Sequence, residues 1–102
     1  MIDRGYPRKS PTVRDRILSH LARFLSRERD HQVPVQVSQR GIANAVGIKE
    51  KHFSQYMRPM MRQGLVSERS SFIVGGSQHQ KVYFLTPRGA VEADWMTKVV
   101  AN

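Results

Sequence analysis

The sequence contains no cysteine, which excludes disulfide bonds and thiolate metal sites. It has no signal-peptide pattern and no run of about eighteen apolar residues, so we expect a cytoplasmic protein without a membrane span. Acidic residues are scarce, at eight in 102 residues, and they are scattered along the chain. The histidines, at positions 20, 31, 52 and 79, are not spaced as metal ligands, and no nucleophile motif is present. We therefore expect no enzyme, no metal and no cofactor.

Basic residues, by contrast, are abundant, since seventeen Lys and Arg give the chain a net charge of +9. Residues 1–30 and 31–64 each carry +4, whereas residues 65–86 carry +1 and residues 87–102 carry no net charge. This asymmetry is typical of a protein that presents one basic face to a polyanion. DNA, RNA and anionic membranes all attract such a face, so the charge alone leaves the partner open.

The length of 102 residues suits one domain with one core. Residues 1–9 show no periodicity and carry three basic side chains. They predict a flexible basic arm, which either frays or follows a DNA groove. Residues 10–102 predict one domain, mainly α with a small β-sheet (α+β), in the order helix, strand, helix, helix, β-hairpin, helix.

Cap residues and apolar spacing set the bounds of the first elements. Ser10 and Pro11 predict the N-cap and first residue of a helix of about sixteen residues. The alternating valines of Val33–Val37 predict a short strand, and Pro34 restricts it to a sheet edge because proline cannot donate to a ladder.

Two helices and a hairpin follow. Ser38 predicts the cap of a second helix over residues 39–46, which Gly47 ends in a left-handed conformation. A third helix is predicted over about residues 50–63, with Gly64 at its end. Residues 65–74 and 81–86 alternate as strands do, and they flank a flexible turn.

A last helix is predicted from Thr86-Pro87 to about Val100. It carries an apolar stripe made of Val91, Trp95, Met96 and Val99. This stripe either covers the chain's own core or forms the interface with a second copy of the chain, so we expect a homodimer.

The most specific motif is residues 39–58, with the sequence QRGIANAVGIKEKHFSQYMR. Two helices that cross steeply through a short turn need a small residue at their contact, here Ala43, and a glycine in the turn, here Gly47. They also need inward apolar residues, which are present as Ile42, Val46, Ile48, Phe53 and Tyr56. The segment resembles the helix-turn-helix of bacterial and archaeal transcription regulators.

The downstream sequence extends this resemblance over about residues 12–100. Met60, followed by Gly64-Leu65-Val66, Arg69, a hairpin and finally Leu85-Thr86-Pro87-Arg88-Gly89, is similar to the core of winged-helix regulators of the MarR-like group. The resemblance implies a winged helix-turn-helix fold and a transcription regulator that binds duplex DNA in a sequence-specific manner. The third helix would enter the major groove, and the wing, about residues 66–86, would contact the flanking backbone or the minor groove.

Two residues depart from the pattern. Lys49 stands where such motifs usually place Ser or Thr as a helix cap, so a poorly capped third helix is expected. Pro59 lies within that helix, where it removes a backbone hydrogen bond to residue 55 and either kinks the last turn or ends the helix at Arg58.

The resemblance also implies roles for individual residues. The outward base-reading candidates of the third helix are Lys51, His52, Ser54, Gln55 and Arg58. Among them Gln55 suits adenine and Arg58 suits guanine. The phosphate-binding candidates are Arg40, Lys49, Arg62, Arg69, His79 and Lys81. The last two belong to the wing tip, which could equally be a plain flexible hairpin.

Two other classes stay open. One is a winged-helix protein that binds RNA, although Phe24, Phe53, Phe72 and Phe84 fall in predicted core phase, which disfavours base stacking. The other is a module for protein contacts, or the N-terminal winged-helix part of a larger protein. The net charge of +9 disfavours the protein-contact module.

Overall fold

The computed structural model describes residues 11–101, except for the side chains of residues 97 and 99–101. The helices are α1 (Val13–Ala22), α2 (Gln39–Val46), α3 (Phe53–Arg62) and α4 (Pro87–Ala101), and the strands are β1 (Gln32–Val33), β2 (Val66–Ile73) and β3 (His79–Leu85). This order confirms the predicted fold class. The predicted arm, residues 1–9, lies outside the described residues.

The first helix begins later and is shorter than the sequence predicts. Its N-cap is Thr12 and not Ser10, because the Thr12 hydroxyl accepts a bond from the Asp15 amide at 3.1 Å while the Asp15 carboxylate accepts one from the Thr12 amide at 3.2 Å. This reciprocal arrangement satisfies two amides that the helix cannot bond itself. The amides of Arg23 and Phe24 bond three residues back, so the α-helix tightens into a 3₁₀ turn and ends at Ala22.

The predicted strand at residues 33–37 is also shorter than expected. Only Gln32 and Val33 pair with β2, in parallel, opposite Phe72 and Ile73. After Pro34 the chain forms a 3₁₀ turn over Val35–Val37, in which the Ser38 amide bonds to the Val35 carbonyl. Val33 in β1 and Val37 at the end of the turn are buried, whereas Val35 is exposed, so the alternation of valines reflects a short strand followed by a turn.

The wing is the antiparallel pair of β2 and β3, which lies in register from Val66 opposite Leu85 to Phe72 opposite His79. The β3 strand begins at His79, two residues earlier than predicted. At the base of the wing, the Thr86 hydroxyl donates to the Gly64 carbonyl at 2.6 Å and accepts from the Gly89 amide at 3.0 Å. Thr86 thereby caps α4 and joins it to the end of α3, as the Thr86-Pro87 signal predicts.

The core lies where α1, α2 and α3 meet the inner face of the sheet, and α4 adds Ala93 and Met96 to it. Met96 is 6% exposed, whereas Val91 and Trp95 are 70% and 58% exposed. The apolar stripe of α4 is therefore divided between two faces, and Met96 belongs to the chain's own core rather than to an exposed interface. The side chain of Val99 lies outside the described residues.

Candidate nucleic-acid interface

The helix-turn-helix begins at Ser38, whose buried hydroxyl accepts from the Gly41 amide at 3.2 Å and donates to the Val35 carbonyl at 2.6 Å. This side chain caps α2 and ties it to the preceding turn, as predicted. At the other end Gly47 adopts φ +77°, and the amides of Gly47 and Ile48 both bond to the Ala43 carbonyl at 3.0 Å. Ala43 itself is 1% exposed, in agreement with the predicted close contact.

Gly41 is a structural requirement that the sequence reasoning missed. A Cβ atom at this position would lie 2.0 Å from the Val35 carbonyl oxygen. The backbone of α2 thus packs directly on the 3₁₀ turn that precedes it. A glycine in the middle of a helix was the available signal, because glycine there has a cost unless close packing requires it.

The start of α3 reflects the missing cap. Lys49 makes no side-chain cap bond, and residues Glu50–His52 form a 3₁₀ turn in which the His52 amide bonds to the Lys49 carbonyl at 2.9 Å. Pro59 does not end the helix, because α3 continues to Arg62 and the Gln63 amide bonds to the Pro59 carbonyl at 3.0 Å. The predicted alternative of a helix that ends at Arg58 is therefore wrong.

One face of α3 is buried and the opposite face is exposed. Phe53, Met57 and Met60 are buried in the core at 1–2% exposure. The exposed face forms a shallow groove that is lined by Lys51, Ser54, Gln55, Arg58, Pro59 and Arg62. We call this set the α3 groove. It unites four of the five predicted base-reading residues with one predicted phosphate contact, while His52 is exposed but lies outside the groove.

The electrostatics of the α3 groove are one-sided. Within the described part of the chain, Lys51, Arg58 and Arg62 have no ion-pair partner. Glu50 is the only acidic residue between positions 31 and 64. Arg40 in the first turn of α2 and Lys49, just before the 3₁₀ turn that leads into α3, are exposed as well. Positive charge without an ion-pair partner on an exposed helical face suits contact with an anionic surface.

The predicted wing contacts divide into two groups. Lys81 and His79 are exposed, and the His79 ring lies 4.1 Å from the Phe72 ring between centroids. Arg69, however, is half-buried and faces its own chain, because its guanidinium donates to the carbonyls of Glu28 and Asp30. It also lies 5.1 Å above the Phe84 ring. Arg69 thus holds residues 28–30 against the wing, so its guanidinium is already bonded within the chain and its predicted contact with phosphate stays a prediction.

The aromatic residues largely follow the predicted core phase. Phe53 and Phe84 are buried and Phe24 is half-buried, but Phe72 is 40% exposed on the wing. Phe72 lies in β2, the central strand, opposite Gln32 of β1 and His79 of β3, and its ring contacts His79 and is not part of the core cluster. The prediction that Phe72 lies in the core is wrong.

Tyr83 in β3 is a second residue that the sequence reasoning did not single out. Its ring is 3% exposed, and its hydroxyl donates to the Glu68 carboxylate at 2.8 Å. Burial, reinforced by this hydrogen bond to a negative group, raises the pKa of the Tyr83 phenol well above its usual value of 10. An alternating strand buries every second side chain, so the pattern of β3 predicts that Phe84 points inward and Tyr83 outward. In the structure both side chains are buried, and the pattern therefore gives no signal for Tyr83.

Among residues 11–101, no cluster of histidine and carboxylate side chains could hold a metal ion. Over the same range, no helix is both long enough and apolar enough to cross a bilayer.

The three-helix core, the two-stranded wing and the terminal helix together define a winged helix-turn-helix fold, the fold of MarR-like regulators. MepR from Staphylococcus aureus, described as a transcription regulator of the multidrug efflux pump MepA, superposes with a TM-score of 0.66 at 18% identity over 91% of this chain and 59% of MepR. The transcriptional regulator PA3341 superposes with a TM-score of 0.62 at 24% identity over 88% of this chain and 57% of its own. MepR bound to ethidium bromide gives a TM-score of 0.57 at 17% identity, over 97% and 64% of the two chains.

These similarities concern the fold, and this chain spans somewhat more than half the length of the regulators it resembles. No family model and no curated protein sequence matches it.

Proposed function

We propose that this protein binds duplex DNA in a sequence-specific manner and acts as a transcription regulator, with α3 in the major groove. The observation that carries the proposal is the α3 groove, an exposed helical face whose cations have no ion-pair partner within residues 11–101. The fold shared with known regulators supports the same conclusion.

The side chains of the groove match the chemistry of base edges. A glutamine pairs in a bidentate manner with adenine, and an arginine does so with guanine, so Gln55 and Arg58 are the proposed base readers. Both lie on the exposed side of α3, one turn apart. Lys51, His52 and Ser54 complete the surface that would face the bases.

Phosphate contacts would come from the exposed cations around this surface. Arg40 lies in the first turn of α2, where the amides at the helix N-terminus also favour an anion. Lys49 precedes the 3₁₀ turn that leads into α3, and Arg62 is the last residue of α3. Lys81 and His79 would reach the flanking backbone from the wing. Contacts with about five phosphates imply a slope of roughly −4 to −5 in a plot of log affinity against log salt.

The exposed side chains of α4 support a homodimer as part of the proposal. Val91 and Trp95 are four residues apart on one helical face, and both are more than half exposed. Apolar side chains of this size, exposed side by side, are typical of an interface. Two-fold pairing would present two copies of α3 to half-sites about 34 Å apart.

The experiment that tests the proposal is selection of bound duplexes from a random pool, followed by the same selection with RNA. Enrichment of one duplex motif, with weaker binding to structured RNA, would support it. Absence of any enriched duplex, or tighter binding to RNA, would contradict it. The selected motif should bind Arg58→Ala more weakly, and Arg23→Ala is the matched control, because it removes the same charge at an exposed residue just after α1, outside the α3 groove.

A further inference from the structure

One contact between the wing and the reading helix is aromatic, and it adds to the packing of α3 on β2 in the core. Phe53 is the first residue of α3 and is 2% exposed, and Tyr83 of β3 packs on it with ring centroids 5.1 Å apart and ring planes inclined at 60°. A tilted pair at this distance is a favourable aromatic geometry. This aromatic contact therefore holds the wing against the N-terminal turn of α3, which carries the proposed base-facing residues Ser54 and Gln55.

The hydroxyl of Tyr83, at the end of the ring, is held by a hydrogen bond. This hydroxyl donates to a carboxylate oxygen of Glu68, which lies directly opposite Tyr83 in the register of β2 and β3. A buried phenol needs an acceptor, and a bond to a charged acceptor is stronger than one to a neutral group. Glu68, Tyr83 and Phe53 thus form a continuous contact from both wing strands to α3.

We propose that Glu68 and Tyr83 are positioning residues that set the placement of α3 relative to the wing and thereby determine how sharply the protein discriminates between DNA sequences. The inference rests on the proposed function. Bidentate contacts to bases require accurate placement of the helix, whereas contacts to phosphates tolerate small displacements. A loosened Tyr83 should therefore weaken binding to the selected duplex more than binding to unrelated duplexes.

Three substitutions separate this role from a simple effect of charge. Tyr83→Phe keeps the ring and its packing on Phe53 but removes the hydroxyl. Glu68→Ala removes both the acceptor and the charge, whereas Glu68→Gln removes the charge and keeps an oxygen that can accept from Tyr83. If only the negative charge of Glu68 matters to an anionic ligand, the two Glu68 variants should behave alike.

The measurement is the ratio of dissociation constants for an unrelated duplex and the selected duplex. We expect this ratio to fall about 5–10-fold in Tyr83→Phe and in Glu68→Ala, with no further fall in the double variant, because both substitutions break one hydrogen bond. Glu68→Gln should retain most of the discrimination. An unchanged ratio in Tyr83→Phe, or equal gains in affinity for both duplexes in the two Glu68 variants, would overturn the proposal.

A second readout requires no DNA. Amide hydrogen exchange in α3 at residues 54–57 should be faster in Tyr83→Phe and Glu68→Ala than in the wild type and Glu68→Gln, while the amides of α1 at residues 17–21 stay unchanged. Exchange that rises uniformly along the chain, or not at all, would contradict a positioning role. A wild-type chain that binds no duplex would overturn the proposed function separately, and the exchange data would still decide whether this contact positions α3.

Discussion

Gly41 and Ser38 show how single residues fix α2 against the preceding turn. The Ser38 hydroxyl bonds on both sides of the junction, and Gly41 allows the helix to lie where a Cβ atom would collide with the Val35 carbonyl oxygen at 2.0 Å. The Val35 carbonyl belongs to the backbone, so it cannot move away as the end of a flexible side chain could. The position of α2, and with it the geometry of the helix-turn-helix, therefore depends on the absence of a side chain at residue 41.

Replacement of Gly41 by Ala should lower the free energy of unfolding by at least about 2 kcal/mol, because the collision is with backbone and outweighs the better helix propensity of alanine. Urea denaturation measures this change. The control is Asn44→Ala in the same helix, where the exposed side chain makes no comparable contact and the substitution should be neutral or slightly stabilising. Equal stability of the two variants would contradict the structural account of Gly41.

The raised pKa of Tyr83 predicts a loss of stability at alkaline pH. In the unfolded chain the phenol ionises near pH 10, whereas in the folded chain it stays protonated, so the folded state binds more protons above pH 10. The contribution to stability is complete below pH 10 and declines above it, by at most about 1.4 kcal/mol per pH unit. Urea unfolding at pH 9 and at pH values above 10 should show this decline in the wild type. Tyr83→Phe should lack the part of the decline that comes from ionisation of Tyr83. If the free energy of unfolding falls equally with pH in the two proteins, Tyr83 makes no such contribution.

At the scale of elements, the wing is held to the rest of the domain by side chains of β2. Arg69 donates to the carbonyls of Glu28 and Asp30, and the buried Ser71 hydroxyl donates to the His31 carbonyl at 3.0 Å. These bonds fasten the segment between α1 and β1 along the wing. They give Arg69 a structural role that its position in the sequence motif does not reveal.

Two substitutions in the wing should therefore have opposite effects on stability and on the salt dependence of DNA binding. Arg69→Ala should lower the free energy of unfolding by about 1–2 kcal/mol, because the carbonyls of Glu28 and Asp30 lose a charged donor, and should leave the salt dependence of DNA binding unchanged. Lys81→Ala should leave stability unchanged and should reduce the magnitude of the salt slope by about 1. Denaturation and binding titrations at several salt concentrations would check both. A reduced slope in Arg69→Ala would identify Arg69 as a phosphate contact.

The elements that follow strong local rules could be predicted from the sequence. The cap at Ser38, the left-handed Gly47 and the Thr86-Pro87 start are local features, and the structure confirms them. The features that the sequence did not predict depend on tertiary structure. Pro34 turns the chain because the next residues pack on α2, and Arg69 turns inward because residues 28–30 lie beside it.

In the candidate site, too, the sequence predicts the local features but not the tertiary contacts. Helical phase alone shows that Gln55 and Arg58 face away from Phe53 and Met57, which the structure confirms as exposure and burial. The contact of Tyr83 with Glu68 and Phe53 joins three elements that are distant in the sequence, and no local pattern predicts it. Which of the exposed residues contact DNA stays a prediction.

At the scale of the whole molecule, we propose the exposed face of α4 as the place where a second copy of the chain binds. Trp95→Glu should reduce the association constant of the dimer at least about tenfold, because most of the binding energy of such an interface comes from a few aromatic side chains that become buried in it. Stability of the monomer should change little, since Trp95 is 58% exposed. Analytical ultracentrifugation of the wild type, Trp95→Glu and the control Asp94→Ala would measure this, and a monomeric wild type would contradict the predicted dimer.

The central claim, that the α3 groove reads bases, is tested most directly by pairing protein variants with DNA variants. The affinities of the wild type, Arg58→Ala and Gln55→Ala would be measured on the selected duplex and on each of its single base-pair substitutions at constant salt. The account predicts that each variant loses about 1–3 kcal/mol on the selected duplex and no longer discriminates at one base pair, which differs between the two variants. If both variants lose the same affinity on every duplex and discriminate like the wild type, α3 contacts the phosphate backbone and does not read the sequence.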